Sequence, residues 1–344
     1  MKHRRALQIW LAALMLLGTA VCVFAADKEF RAGWLEFVRP AIAPDEFPTA
    51  FHYHRARERA IASMKLSLEN KKRAETLESL AYFYLRDFQY QNAREGFEEA
   101  LKRKGDEPRL RHLLGQTKAV LLLAEPETRS EECKEAIKEF RRAADREESN
   151  AMPLFQAASV AFDSNRSDLA LPLVKEALGR PECGFYTLPV PEDLAEDRAQ
   201  ATGAWWWVQS ELWKEMIVRA ANCGRWVVRQ ADRSALRGEK EKAEELYLQA
   251  VQIGQHLYRT NPPLVEALAA GLEMERTALR GRLRNPAGDS ADVEERLKRL
   301  DSAQKNLERL WRDLREKERR QPPASIEERV ENQKRLVEAI LSSL

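Results

Sequence analysis

Residues 74–107 read AETLESLAYFYLRDFQYQNAREGFEEALKRKGDE, and the spacing of apolar side chains in this stretch decides the fold. Leu77, Leu80, Ala81 and Tyr84 fall at i, i+3, i+4 and i+7, which is one face of a helix. Ala93, Phe97 and Ala100 repeat the pattern at i, i+4 and i+7. A turn is predicted between the two groups, over 87–91. The small side chains of Ala81, Ala93 and Ala100 allow two antiparallel helices to approach closely.

The same order of large and small residues recurs. At 151–184, Leu154, Ala157, Ala158 and Ala161 precede Ala170, Val174 and Ala177; at 224–257, Val227 and Ala231 precede Ala243, Tyr247 and Ala250. The stretch 108–150 carries Leu114-Gly115, then Ala136, Phe140 and Ala143, and is longer than the others, with its excess expected in a loop over 124–131 around Pro126. These residues resemble the tetratricopeptide repeat family, whose helix pairs recur about every 34 residues. The resemblance implies a right-handed α-solenoid of antiparallel helix pairs over 74–289, with repeats near 74–107, 108–150, 151–184 and 224–257. It also implies binding of another protein or peptide in a groove lined by the first helix of each repeat. On the matching positions that groove takes Glu78, Tyr82, Leu85 and Arg86, then Phe155, Ser159, Phe162 and Asp163, then Val228, Asp232 and Leu236.

Two stretches depart from the pattern. Residues 181–197 hold three prolines and one glycine, so a loop is expected there. A helix over 198–223 follows, with Trp206, Trp213, Met216, Ile217 and Ala220 on one face. Trp205 and Trp207 point to either side of that face, which makes them either further core or an exposed partner patch. A helix starting at 263 ends the array before Asn285-Pro286.

From 290 to 344 the sequence changes character. Val293, Leu297, Leu300, Gln304, Leu307, Trp311 and Leu314 are spaced alternately by four and three residues, as in a heptad. Ser325 and Glu328 form a capping box for a last helix, which carries Ile326, Val330, Val337, Ile340 and Leu344. Three heptads with a polar Gln304 in the seam favour an intramolecular hairpin over weak homo-oligomers. At the other end, 26–73 is expected to hold an irregular segment, with prolines at 40, 44 and 48, and then a helix over 51–69 through Ala56, Ala60, Ile61 and Met64.

Residues 1–25 read as an export signal: Lys2, Arg4 and Arg5, an apolar run from Leu7 to Phe24, and a small residue at Ala25. That places the body of the protein in a periplasm or cell envelope. The apolar run is long enough that an uncleaved membrane anchor over 7–25 is the alternative. Without the three leader cations, 54 basic residues face 55 acidic ones, so the nominal +2 becomes −1. A chain so balanced has no electrostatic reason to seek nucleic acid, and it would meet a membrane only through a retained leader.

Nothing in the motif pattern points to catalysis. The sequence has no nucleophile elbow, phosphate loop, HExxH or dinucleotide turn. His52 and His54, at i and i+2, face opposite sides of a helix, and no metal or cofactor is expected. Clustered carboxylates alternate with Lys and Arg, as on solvated helix faces. Beyond the leader, which holds Cys22, the three cysteines Cys133, Cys183 and Cys223 are widely spaced and odd in number, which suits small buried residues and leaves one disulfide of unassigned pairing open. The expected function is that of an exported scaffold for protein–protein interaction, with a self-assembling envelope component as the alternative.

Overall fold

A computed structural model describes residues 27–40, 49–71, 73–124, 129–191, 198–286 and 290–344. These residues form an all-α protein, in which the strands are two parallel two-residue segments, β1 (Cys183–Gly184) and β2 (Thr260–Asn261). The leader expected over 1–25 lies outside the described residues. No described helix is long and apolar enough to cross a membrane. The chain divides into two compact units, Met1–Asp106 with Leu188–Trp207 and Glu107–Thr187 with Val208–Leu344.

The first unit contains α1 (27–40), α2 (Ala50–Asn70), α3 (Ala74–Arg86) and α4 (Tyr90–Lys104). Helix α1 corrects the expectation of an irregular amino-terminal segment. Its stretch is free of proline until Pro40 at its last residue, and Trp34, Phe37 and Val38 stand at helical spacing, all buried. The Phe37 ring stacks on Phe83 of α3 at 4.3 Å, and Trp34 meets the edge of Phe83 at 4.8 Å. Burying aromatic area of this size outweighs weak local propensity. Helix α2 buries the expected Ala56, Ala60, Ile61 and Met64. Helices α3 and α4 are antiparallel, since Lys104 at the end of α4 lies 3.4 Å from Glu75 and 3.2 Å from Glu78 near the start of α3. Their contact buries Ala81, Ala93, Phe97 and Ala100 completely, the small-residue approach that the sequence pattern required.

The second unit opens with α5 (Pro108–Ala124), α6 (Arg129–Arg146), α7 (Met152–Asp163) and α8 (Ser167–Leu178). The extra length of 108–150 goes largely into helix rather than into the expected loop: α5 and α6 have 17 and 18 residues against 12 each in α7 and α8. Pro126, in that loop, lies outside the described residues. Helices α5 and α6 are laced by a nearly buried charge network: Lys118 donates to Glu135 at 3.3 Å and to Glu139 at 3.1 Å, and Arg111 donates to Glu139 at 2.7 Å. Removing one partner from so buried a carboxylate would be costly, which ties α5 to α6.

Helix α9 (Arg198–Leu236) is a single helix of 39 residues. The sequence predicts one helix ending at 223 and a repeat opening at 224, but the helix runs on through Asn222 and Gly224, where a Cβ would lie 2.6 Å from Met274 Sδ. Helix α9 runs parallel to α7: Gln156 donates to the Met216 carbonyl and Trp226 to Asp163, while Gln230 donates to Ser167 at the start of α8.

Helices α10 (Lys240–Tyr258) and α11 (Val265–Arg284) form a close antiparallel pair, followed by α12 (Ala291–Arg320) and α13 (Ile326–Leu341). Of the heptad positions, Val293, Leu300 and Leu307 are buried, together with Ala303, as α12 packs on α11. Helix α13 folds back on α12 and reaches α11, where Gln333 accepts from the Val265 amide at 3.1 Å. The last two helices therefore form the intramolecular hairpin. Its start is capped as the sequence implied: Ser325 Oγ accepts from Glu328 N at 3.2 Å, while Glu328 accepts from Ala324 N at 2.8 Å.

Candidate functional site

Most positions assigned to an open groove are buried. Glu78, Tyr82, Leu85, Phe155, Ser159, Phe162 and Val228 belong to the core, and Arg86, Asp163 and Asp232 are half-buried. Leu236 alone among them is broadly exposed, at 87%. Each face has a cover inside its own unit. Phe37 of α1 lies 5.8 Å from the Tyr82 ring, Trp226 of α9 stacks on Phe162 at 6.1 Å, and His256 of α10 meets the edge of Phe155 at 5.8 Å. Glu78 pairs with Lys104, and Asp232 accepts the Tyr247 hydroxyl. The apolar side chains on this list were already better suited to core than to a wet groove.

The tryptophans divide as their helical positions require. Trp206 and Trp213 are buried; Trp205 and Trp207 are half-buried, with Trp205 on the Trp206 ring at 6.4 Å and Trp207 on Phe37 at 6.0 Å. His52 bonds Thr49, whereas His54 lies 3.2 Å from Asp87 and 3.4 Å from Glu58. Among the described residues no group of three or more His, Cys, Asp or Glu converges as a metal would require. Cys133, Cys183 and Cys223 are buried free thiols, and burial raises the Cys183 thiol to about 12.

The constellation of most functional interest lies in the second unit, where helices hold an extended piece of chain over 182–187. Its main chain is gripped along its length. The Glu182 amide donates to the Ser149 carbonyl at 3.0 Å, and the Ala151 amide to the Glu182 carbonyl at 2.8 Å. Asn150 brackets Gly184, accepting from its amide at 2.9 Å and donating to its carbonyl at 3.3 Å. The Phe185 amide donates to the Asn261 carbonyl at 2.9 Å. Trp213 of α9 donates to the Tyr186 carbonyl at 2.8 Å, and Arg109 of α5 to the Thr187 carbonyl at 3.1 Å.

Most side chains of this piece are turned into the protein. Cys183, Phe185 and Tyr186 are buried, whereas Pro181, Glu182 and Thr187 are exposed and Gly184 is half-buried. Tyr186 is the deepest specific anchor. Its hydroxyl donates to Glu147 at 3.0 Å, and its ring lies 4.9 Å from that of His112, which meets Phe140 at 5.2 Å on α6. Burial first, and then the Glu147 charge, push the Tyr186 hydroxyl far above its ordinary range, so it stays a donor. Burial and the charge of Arg219 hold His112 down at about 3, so it is a neutral ring at physiological pH. Both His112 nitrogens are buried without a hydrogen-bond partner. Arg180 fixes the approach to this site, donating to the carbonyls of Ala144, Glu147 and Asn150 at the end of α6.

Sequence reasoning placed a loop here but none of its holders. The signal was the composition of Cys183-Gly184-Phe185-Tyr186, too apolar for a connection lying wholly in water. Compared with protein-family models and with curated proteins, the chain has no significant match.

Proposed function

We propose that this protein is a scaffold of tetratricopeptide-like helix pairs that binds another protein, exported to the periplasm or cell envelope. The observation that carries the reading is the grip on 182–187: side chains from α5, α9 and the α6–α7 turn bond its main chain, and one tyrosine enters an aromatic pocket. Rigid helices that recognise extended main chain in this way bind with little ordering cost. The parallel course of α9 along α7 supports the repeat architecture. The heptad residues Val293, Leu300 and Leu307 are already buried inside the chain, which favours a scaffold over self-assembly through α12.

Affinity capture with the chain from residue 26 onward, from its own cell envelope, tests this reading. A specific partner, released by an Arg109→Ala/Trp213→Phe variant that stays folded, is the expected result. Recovery of the chain bound only to itself would overturn it in favour of self-assembly.

A further inference from the structure

Three of the turns that join antiparallel helices share one backbone design. Between α3 and α4 the Phe88 amide donates to the Leu85 carbonyl and the Gln89 amide to that of Tyr84. Between α7 and α8, Asn165 donates to Phe162 and Arg166 to Ala161; between α9 and α10, Gly238 donates to Ala235 and Glu239 to Ser234. The residue two places past each helix end is left-handed, with φ of 61° at Phe88, 57° at Asn165 and 77° at Gly238. Such a helix end takes glycine, or asparagine, whose short side chain tolerates the region. The second and third turns obey. The first carries phenylalanine, a bulky side chain strained by its own Cβ at positive φ.

The core makes no use of that ring. Phe88 is 71% exposed, and its ring lies against the edge of Tyr90, two residues on, at 6.2 Å. A strained residue that fills no core space points to a side chain kept for contact with another molecule. The surroundings define that molecule. Residues 88–92, Phe-Gln-Tyr-Gln-Asn, carry no charge, and an aromatic centre with an amide rim suits a protein surface. A lipid bilayer would leave the amides without partners. Asp87 is turned inward, 3.2 Å from His54 and accepting from Gln89 at 2.8 Å, while Glu58 lies 3.4 Å from the same histidine. The half-buried Arg57 of α2 lies near Arg86, and burial and then the Arg86 charge lower its pKa. Two copies docked about Phe88 would set these arginine pairs against each other, which favours a different and acidic partner.

We propose that Phe88 is the anchor by which the α3–α4 turn docks a partner protein, one that offers an apolar pocket rimmed by carboxylates to meet Arg57 and Arg86. Docking at Phe88 rests on the protein-binding reading above and gives it a contact surface in the first unit.

The other two turns supply the variants that test it. Phe88→Asn and Phe88→Gly remove the ring and relieve the backbone, so both are expected to melt about 2–4 °C above the native chain. Binding is read with the photoreactive probe benzoylphenylalanine at position 88 of the full chain, in its own cell envelope, and at exposed position 102 of α4 as control. The expected result is one foreign protein joined from 88 and not from 102, with the adduct in an apolar pocket edged by Asp or Glu. Excess native chain suppresses the adduct, whereas Phe88→Asn competes at least about tenfold more weakly. Adducts with a second copy or with lipid, or no adduct, overturn the proposal. So does equal competition by Phe88→Asn. A Phe88→Asn chain less stable than the native one overturns it too, because the ring would then serve the fold. If envelope capture yields a partner that Phe88→Asn keeps and the Arg109→Ala/Trp213→Phe variant releases, docking at Phe88 fails and the protein-binding reading stands.

Discussion

Asn150 and Gly184 are locked to each other by one side-chain amide, which accepts from the glycine N–H at 2.9 Å and donates to its carbonyl at 3.3 Å. The same Asn150 oxygen also accepts from the Met152 amide at 3.0 Å, at the start of α7. One residue therefore caps a helix and holds the extended segment. Asn150→Ala should cost about 2–3 kcal/mol, a lost cap plus the desolvated amide and carbonyl of Gly184. Asn150→Asp keeps both acceptor bonds but turns an oxygen onto the Glu147 carboxylate and the Gly184 carbonyl, to which the amide donates at 2.9 and 3.3 Å, and should cost at least as much. Urea denaturation of the two variants checks this, and a clearly smaller loss for Asn150→Asp would contradict the role of the donor.

His112 gives the second unit a pH dependence whose sign follows from its burial. Its folded-state pKa of about 3 lies below the ordinary 6.5. Between those values the unfolded chain takes up a proton that the folded chain refuses, so stability falls as pH drops below the ordinary value and goes on falling towards about 3. The slope from this one group approaches about 1.4 kcal/mol per pH unit. His112→Phe keeps the contacts with Phe140 and Tyr186 and removes the titration. Between pH 7 and pH 5 the native protein should lose roughly 2 kcal/mol more than this variant. Parallel slopes for the two proteins would sink the assignment.

How much of this was legible beforehand depends on what each residue answers to. The pairing of α3 with α4 followed from Leu80, Ala81, Ala93, Phe97 and Ala100, because a helix face is a local property of spacing and side-chain size. The cap at Ser325 was equally local. Helix α1 was hidden by prolines that lie at or beyond its end. The groove failed for a different reason. Tyr82, Phe155 and Phe162 stand on the expected helix faces, yet the helices that cover those faces come from elsewhere in the chain, and one repeat's pattern carries no record of them. Arg109, Asn150 and Trp213 had no motif to announce them, since each acts on a main-chain group brought to it by folding.

The α10–α11 contact makes a prediction that side-chain chemistry alone would not. Gly254 and Gly271 face each other so closely that a Cβ on Gly254 would sit 2.7 Å from the Gly271 carbonyl oxygen, and one on Gly271 would sit 2.5 Å from that of Gly254. The opposing atoms are backbone and cannot rotate away. Gly254→Ala or Gly271→Ala should therefore cost about 2–3 kcal/mol by overpacking, although alanine is the better helix former. Gly203→Ala, where a Cβ would meet nothing within 4 Å, should instead gain about 0.5–1 kcal/mol. Thermal melts of the three variants decide between helix propensity and interhelical approach as the controlling term.

Glu275 of α11 is buried beneath two partners, Tyr258 of α10 and Arg296 of α12, and Arg296 also donates to the Leu344 carbonyl at 2.8 Å. Three helices and the end of the hairpin thus meet at one carboxylate. The Glu275 charge raises the Tyr258 hydroxyl far above its ordinary range, after burial, so the tyrosine remains a donor to it. Arg296→Met leaves that charge with a single neutral donor and should cost about 3–5 kcal/mol, the usual consequence of orphaning a buried ion. Removing the charge as well, in an Arg296→Met/Glu275→Leu double variant, should recover at least half of the loss, because the remaining defects, the Tyr258 hydroxyl and the Leu344 carbonyl, are both neutral. A double-mutant cycle by chemical denaturation measures this coupling. Additive losses would mean that the carboxylate is stabilised by solvent and that the hairpin is held to α11 by its apolar residues alone.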